Sequence, residues 1–238
     1  MATLTKKNTA PIKKPPRPSN PSALEMTVYR YQLKAYDCYQ KLKNKAGASK
    51  QEIAQLEEDI AFLKRDRARI SAHARYQEYL AQELDEYRKS NKEKDEFELA
   101  EEKHHPTDTL SKNLYAVAES QPSPNHAAHH IIMGKGRHPI TIEARLTMFE
   151  YGIGINDAIN GVWLPRSSAY AGHYTTPKAP PHSRIHRYNY EIWVGRLARI
   201  KNNEAGFKIR LGQIKSDLKN GTHPTEILET KKPEWKPN

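Results

Sequence analysis

The chain has a single cysteine, Cys38, in 238 residues. That excludes an intramolecular disulfide and any cysteine-rich zinc site, so a metal must be held by histidine and oxygen. Nowhere do 18 apolar residues run together, and Met1–Lys7 lacks the apolar core of a signal peptide. Membrane insertion is therefore not expected, and the chain is expected in the cytoplasm of the cell that makes it. Apolar residues are scarce, at 37% with a mean hydropathy of −0.90, so only part of the chain can bury a core. Acidic residues are missing from residues 1–20, which carry five basic groups, and they are outnumbered nine to 17 over residues 122–238. Of the net charge of +11, the two ends thus hold +5 and +8, with −2 between. A basic C-terminal half is the electrostatic footprint of a polyanion binder, although a basic surface kept for solubility has the same composition.

Composition divides the chain into segments. Residues 1–22, with five prolines among lysines and small polar residues, read as a disordered basic arm. Ser22 with Glu25 marks a helix start, and Leu24, Val28, Tyr31, Ala35, Cys38 and Leu42 form one apolar seam. A turn is expected at Lys45–Ala48. Ser49 with Glu52 is a capping-box signature opening a second helix, striped by Ile53, Leu56, Ile60, Leu63 and Ile70 and running toward Lys103. Residues 23–105 are thus expected to form a helical hairpin or coiled-coil arm. It suits docking to another protein, and equally a plain hairpin or a homodimer coil. His104-His105-Pro106 closes the helical region. Residues 106–125 read as a linker, 126–220 as a domain, and 221–238 as a loose tail. The fold class expected is α+β, mostly helical.

What the chain does have is histidine in one place. Seven of its 11 histidines lie within residues 126–186. His129 and His130 sit among small and branched apolar residues that favour a strand, where neighbours face opposite sides and so have different jobs. Asn160-Gly161 reads as a turn into a second short strand, Val162–Pro165, and residues 140–151 as an intervening helix. His182 to Ile200 reads as one helix, with His182 and His186 four apart on one face, a spacing that suits two imidazoles converging on one ion. Two strands and a helix around one metal form the ββα-metal arrangement. Gly134-Lys135-Gly136-Arg137 lacks the spacing of a P-loop and reads as a basic turn, with Lys135 and Arg137 touching phosphate. Arg145, Arg166, Arg184 and Arg187 are candidate contacts to a nucleic-acid backbone. Tyr188 and Trp193 read as core.

Three blocks in order carry a resemblance over roughly residues 120–200: Ala128-His129-His130-Ile131-Ile132; Tyr151-Gly152-Ile153-Gly154-Ile155-Asn156-Asp157-Ala158-Ile159-Asn160-Gly161-Val162-Trp163-Leu164-Pro165; and His182-x-x-x-His186-x-Tyr188. They resemble the HNH/endonuclease VII superfamily, and within it the AHH nucleases found as toxin domains of bacterial polymorphic toxins. The resemblance implies a ββα-metal nuclease domain with His129, His182 and His186 as ligands of one divalent ion, whether Mg, Zn, Mn or Ni. It implies His130 as general base and Asn160 as the residue holding the loop of that base. A position on the ion stays open for water or phosphate, and removal of residues 1–110 is expected to spare cleavage.

The resemblance further implies a DNA endonuclease of little sequence specificity. It would act as an antibacterial effector exported by a contact-dependent apparatus such as type VI secretion, docked through residues 23–105 and restrained by an acidic immunity protein. A phage or mobile-element HNH enzyme and an RNase are the alternatives among nucleases. A basic DNA-binding or coiled-coil adaptor with structural zinc is the alternative outside enzymes.

Overall fold

The structure, a computed structural model, describes residues 13–19, 23–44, 47–136, 138–199 and 203–237. Most of the expected basic arm, Ser22, Lys45, Ala46, Arg137 and Ile200 lie outside the described residues. The chain divides into two compact units, residues 1–76 and 77–238. In the first, α1 (Ala23–Lys43) packs on the beginning of α2 (Lys50–Lys92), burying Cys38 and Leu56. Lys41 pairs with Asp59 at 3.3 Å, and Lys34 lies over the Phe62 ring. The capping box forms as its residues dictate: Ser49 N donates to Glu52 Oε2 at 2.7 Å, and Glu52 N donates to Ser49 Oγ.

The second unit is mostly helical α+β, built on one antiparallel strand pair. β1 (His126–His130) pairs with β2 (Gly161–Pro165) in the register His126↔Pro165 through His130↔Gly161. Both strands are short and mostly buried, so each face of the pair needs a cover. Val162 and Leu164 point into a core shared with α5 (Pro139–Glu150), α7 (Tyr188–Ala198) and α8 (Glu204–Asn220). Ala128 and Trp163 point the other way, against Leu110 and Leu114 of α4 (Asp108–Ala116) and Leu80 and Leu84 of α2. α3 (Glu96–Ala100) follows α2 after a break capped by Asp95, and its Leu99 is buried in the larger core.

Several expectations from sequence change here. The segment 106–125 is not a bare linker, because α4 lies within it and buries Leu110 and Leu114 completely. Nor is 23–105 one arm, since the division between units falls inside α2 and the helix beyond Tyr76 belongs with the strands. Residues 221–238 carry a helical turn, Thr225–Leu228, with Ile227 fully buried.

His182 to Ile200 is not one helix. The single turn α6 (His182–Ile185) ends at His186 (φ −77°, ψ 64°), Arg187 is extended (φ −136°, ψ 161°), and α7 starts afresh. Contacts distant in sequence hold that break. The Asn189 amide donates to Glu226 O and Thr230 O and accepts from Lys232 N, while Arg187 donates to Leu228 O.

Asn160-Gly161 does not form a left-handed hairpin turn. A 3-10 turn, Ala158–Asn160, enters β2 directly with Gly161 extended at φ −113°. Glycine is needed for space, because a Cβ there would stand 2.7 Å from Leu110 Cδ1.

Candidate active site

β1 ends on the two histidines, and the pleat sends them apart. His129 shares the face of Val162 and meets α7, where its Nε2 lies 2.9 Å from the Tyr190 hydroxyl. That hydroxyl donates its own proton to Ile131 O at 3.0 Å, so its oxygen must accept from His129 Nε2–H. The tautomer follows: Nδ1 of His129 carries a bare lone pair, and it is buried with no hydrogen-bond partner. His182 and His186 complete a triangle with His129. Their rings each stand 5.1 Å from that of His129, their Nε2 atoms are 2.9 Å apart, and one nitrogen from each of the three lies within 4.8 Å of the others.

An orphaned imidazole nitrogen facing two more imidazoles is the donor set of a metal such as zinc, bonded at ~2.0–2.1 Å. The residues present fit a divalent ion. With an ion bound there, Tyr190 would be the outer hydrogen-bond partner that metal-binding histidines ordinarily need. Burial, and then the neighbouring imidazoles, push His129 well below its ordinary range. Burial, followed by His186 and His105, takes His182 down to about 4, and burial also lowers His186. All three therefore stay neutral near pH 7, the form in which imidazole binds metal.

His130 lies on the opposite face and is oriented by a different partner. Its Nε2 is 2.9 Å from Asn156 Oδ1, while Asn156 Nδ2 donates to Glu102 Oε1 and Lys103 O. Because the amide nitrogen is engaged elsewhere, oxygen faces the ring, His130 is protonated on Nε2, and Nδ1 holds the lone pair. Burial takes His130 down to about 4, against the opposing Asn156 hydrogen bond and with help from His104, His105 and His186. Asn160 is fully buried and clasps the chain just beyond: its Oδ1 accepts from Ile132 N at 2.7 Å, and its Nδ2 donates to Ile132 O and Ile155 O.

His129, His130, His182 and His186 open on one cleft of about 270 Å³, whose wall also includes His104, His105, Lys135 and Glu191. The basic residues divide. Lys135 lines the cleft, and Arg184 is exposed. Arg145, expected at phosphate, instead donates to the carbonyls of Met133, Gly134 and Gly136 and so supports the loop that carries Lys135. Arg187 and Arg166 are exposed, but each donates to a carbonyl, Leu228 O and Pro124 O respectively. His173 bonds Thr175 and meets the His126 ring edge-on, apart from the triangle.

Sequence reasoning missed Tyr190, Asn156, Glu102, His104 and His105. Of these, Asn156 stood inside a block already singled out, and His104-His105 was visible as a pair but read only as a helix terminator.

Residues 110–220 match the model of AHH, a nuclease family of the HNH/ENDO VII superfamily with conserved AHH. No curated protein and no solved structure matches the chain. Ala128-His129-His130, the last three residues of β1, is the tripeptide for which the family is named. Residues 110–220 are thus similar to the AHH nucleases of the HNH/ENDO VII superfamily, enzymes of a kind that uses a divalent metal, and by that match the chain is a phosphodiester-hydrolysing endonuclease.

Proposed function

We propose that the enzyme cleaves DNA with little sequence preference, with His129, His182 and His186 holding one divalent ion and His130 serving as general base. The observation that carries this reading is the pair of fixed tautomers at the end of β1: Tyr190 leaves His129 Nδ1 bare, and Asn156 leaves His130 Nδ1 bare. A bound divalent ion supplies Lewis-acid stabilisation of the charge on the phosphate and the departing 3′ oxygen. His130 Nδ1 accepts the proton of the attacking water, and Asn156 steadies the ring as the proton arrives. Asn160 keeps the chain beyond His130 in register with β2. Lys135 at the cleft, and exposed Arg184, which lies between His182 and His186 in sequence, meet backbone phosphates. The +8 charge of residues 122–238 favours a polyanion whose binding weakens with salt.

The biological reading is an antibacterial effector, made in the cytoplasm and passed to other cells by a contact-dependent system of the type VI kind. Its delivery partner engages the helical N-terminal segment, and an acidic immunity protein covers the basic domain, a pairing that charge complementarity makes fast. No described helix is long and apolar enough to cross a membrane.

The test is incubation of purified protein with supercoiled plasmid, or with RNA, in Mg²⁺, Zn²⁺ or EDTA. Plasmid loss that EDTA abolishes supports the reading, whereas cleavage of RNA alone replaces the substrate. Toxicity on expression, relieved by a neighbouring acidic open reading frame, supports the effector role; growth unaffected by an active nuclease opposes it.

A further inference from the structure

The arrangement that fixes His130 does not end at Asn156. An asparagine amide can turn either end toward an imidazole, and the wrong end would force the proton onto His130 Nδ1. Both donors of Asn156 Nδ2 are occupied, by Glu102 Oε1 at 2.7 Å and Lys103 O at 2.9 Å, which leaves only Oδ1 for His130. Glu102 is itself gripped from behind, because the Tyr87 hydroxyl donates to Oε2 at 2.9 Å. The backbone at Gly154 lies so close to this group that a Cβ would stand 2.2 Å from Tyr87 Oη and 2.7 Å from Glu102 Oε2. Tyr87 and Glu102 both precede the segment 110–220 that matches the family.

We propose that Glu102 is a positioning residue for the general base, acting through Asn156 to keep His130 protonated on Nε2 with Nδ1 open to water. The proposal rests on the assignment of His130 as base. It makes the end of the helical segment part of the active centre, since the family's own segment contains His130 and Asn156 but not Glu102, whose carboxylate joins Lys103 O in fixing which end of the amide His130 meets.

The test uses the full chain, with plasmid cleavage kinetics and Zn²⁺ titration. Glu102→Ala lowers kcat about 10- to 100-fold, the range seen when an orienting outer partner is removed, with KM and Zn²⁺ affinity little changed. Glu102→Gln still presents an acceptor to Asn156 and recovers most of the loss. Asn156→Ala falls comparably, and Glu102→Ala adds nothing in that background, as expected when two residues act through one another. Should Glu102→Ala fail to fold, Glu102→Asp, which keeps the charge but withdraws the acceptor by one methylene, shows the same fall in kcat.

Wild-type kcat in a folded Glu102→Ala or Glu102→Asp variant overturns the proposal. So does a Glu102→Gln variant no better than Glu102→Ala, or a double variant whose loss is the product of the single ones. His130→Ala separates the two levels: full activity there sinks the base assignment itself, whereas an inactive His130→Ala beside a fully active Glu102→Ala sinks only the positioning role.

Discussion

Replacing Tyr190 by phenylalanine removes one oxygen and leaves the ring, so no cavity opens and the effect is confined to hydrogen bonding. The hydroxyl lies fully buried between His129 Nε2 at 2.9 Å and Ile131 O at 3.0 Å. Without it, a buried N–H and a buried carbonyl both lose their partner, at about 1–3 kcal/mol for each group left unsatisfied. Partial relaxation brings the expected loss of stability to roughly 2–4 kcal/mol, read as a lower midpoint in thermal or urea unfolding of the metal-free protein. The second effect is on the metal. Nothing then prevents His129 from placing its proton on Nδ1, the nitrogen left for the ion, so Zn²⁺ affinity falls about 10- to 100-fold, or roughly 1.4–2.8 kcal/mol. Chelator competition on the folded variant measures it. Tyr190→Phe with unchanged Zn²⁺ affinity would refute the reasoning, because the tautomer would then be set by something other than Tyr190.

Removing residues 1–76 leaves metal-dependent cleavage in vitro intact, whereas removing residues 1–109, a deletion expected from sequence to be tolerated, abolishes it. The longer deletion takes away Leu80, Leu84 and Leu99, all at most 3% exposed, together with the Arg88 guanidinium that holds buried Asp157 at 2.8 Å. A plasmid assay on both truncations decides this, and an active 110–238 fragment would contradict it. Gly161→Ala destabilises by about 1–3 kcal/mol in urea unfolding, since its Cβ would overlap Leu110 in a packed interior; unchanged stability would show that α4 is free to shift. Lys135→Ala lowers the slope of log affinity against log salt by about 0.9, the contribution of one phosphate contact, in DNA-binding titrations; an unchanged slope removes Lys135 from the interface.

The features legible in sequence were those set by neighbours within a turn or a strand. The Ser49–Glu52 capping box, the helix near residues 140–150 and the opposite facing of His129 and His130 all follow from local stereochemistry. The family resemblance, not spacing, named His129 beside His182 and His186, and the three stand together in the structure. What sequence hid depends on partners far along the chain. The break at His186 is held by residues 226–232, the helix in the supposed linker is stabilised by burial against Trp163, and Tyr190 looked like one more aromatic on an apolar helix until β1 was placed beside it. Asn156 was in view, but its role depends on which end of its amide meets His130, and Glu102 Oε1 and Lys103 O, 54 and 53 residues away, hold that end.

The assignment of distinct jobs to two adjacent histidines is tested most directly by Zn²⁺ titration and plasmid cleavage on His129→Ala and His130→Ala side by side. The account predicts that His129→Ala loses both metal and cleavage, while His130→Ala binds Zn²⁺ as the wild type does and loses cleavage by a factor of about 10²–10⁴, the contribution of a general base. Loss of Zn²⁺ in His130→Ala with retention in His129→Ala would mean that ligand and base are exchanged.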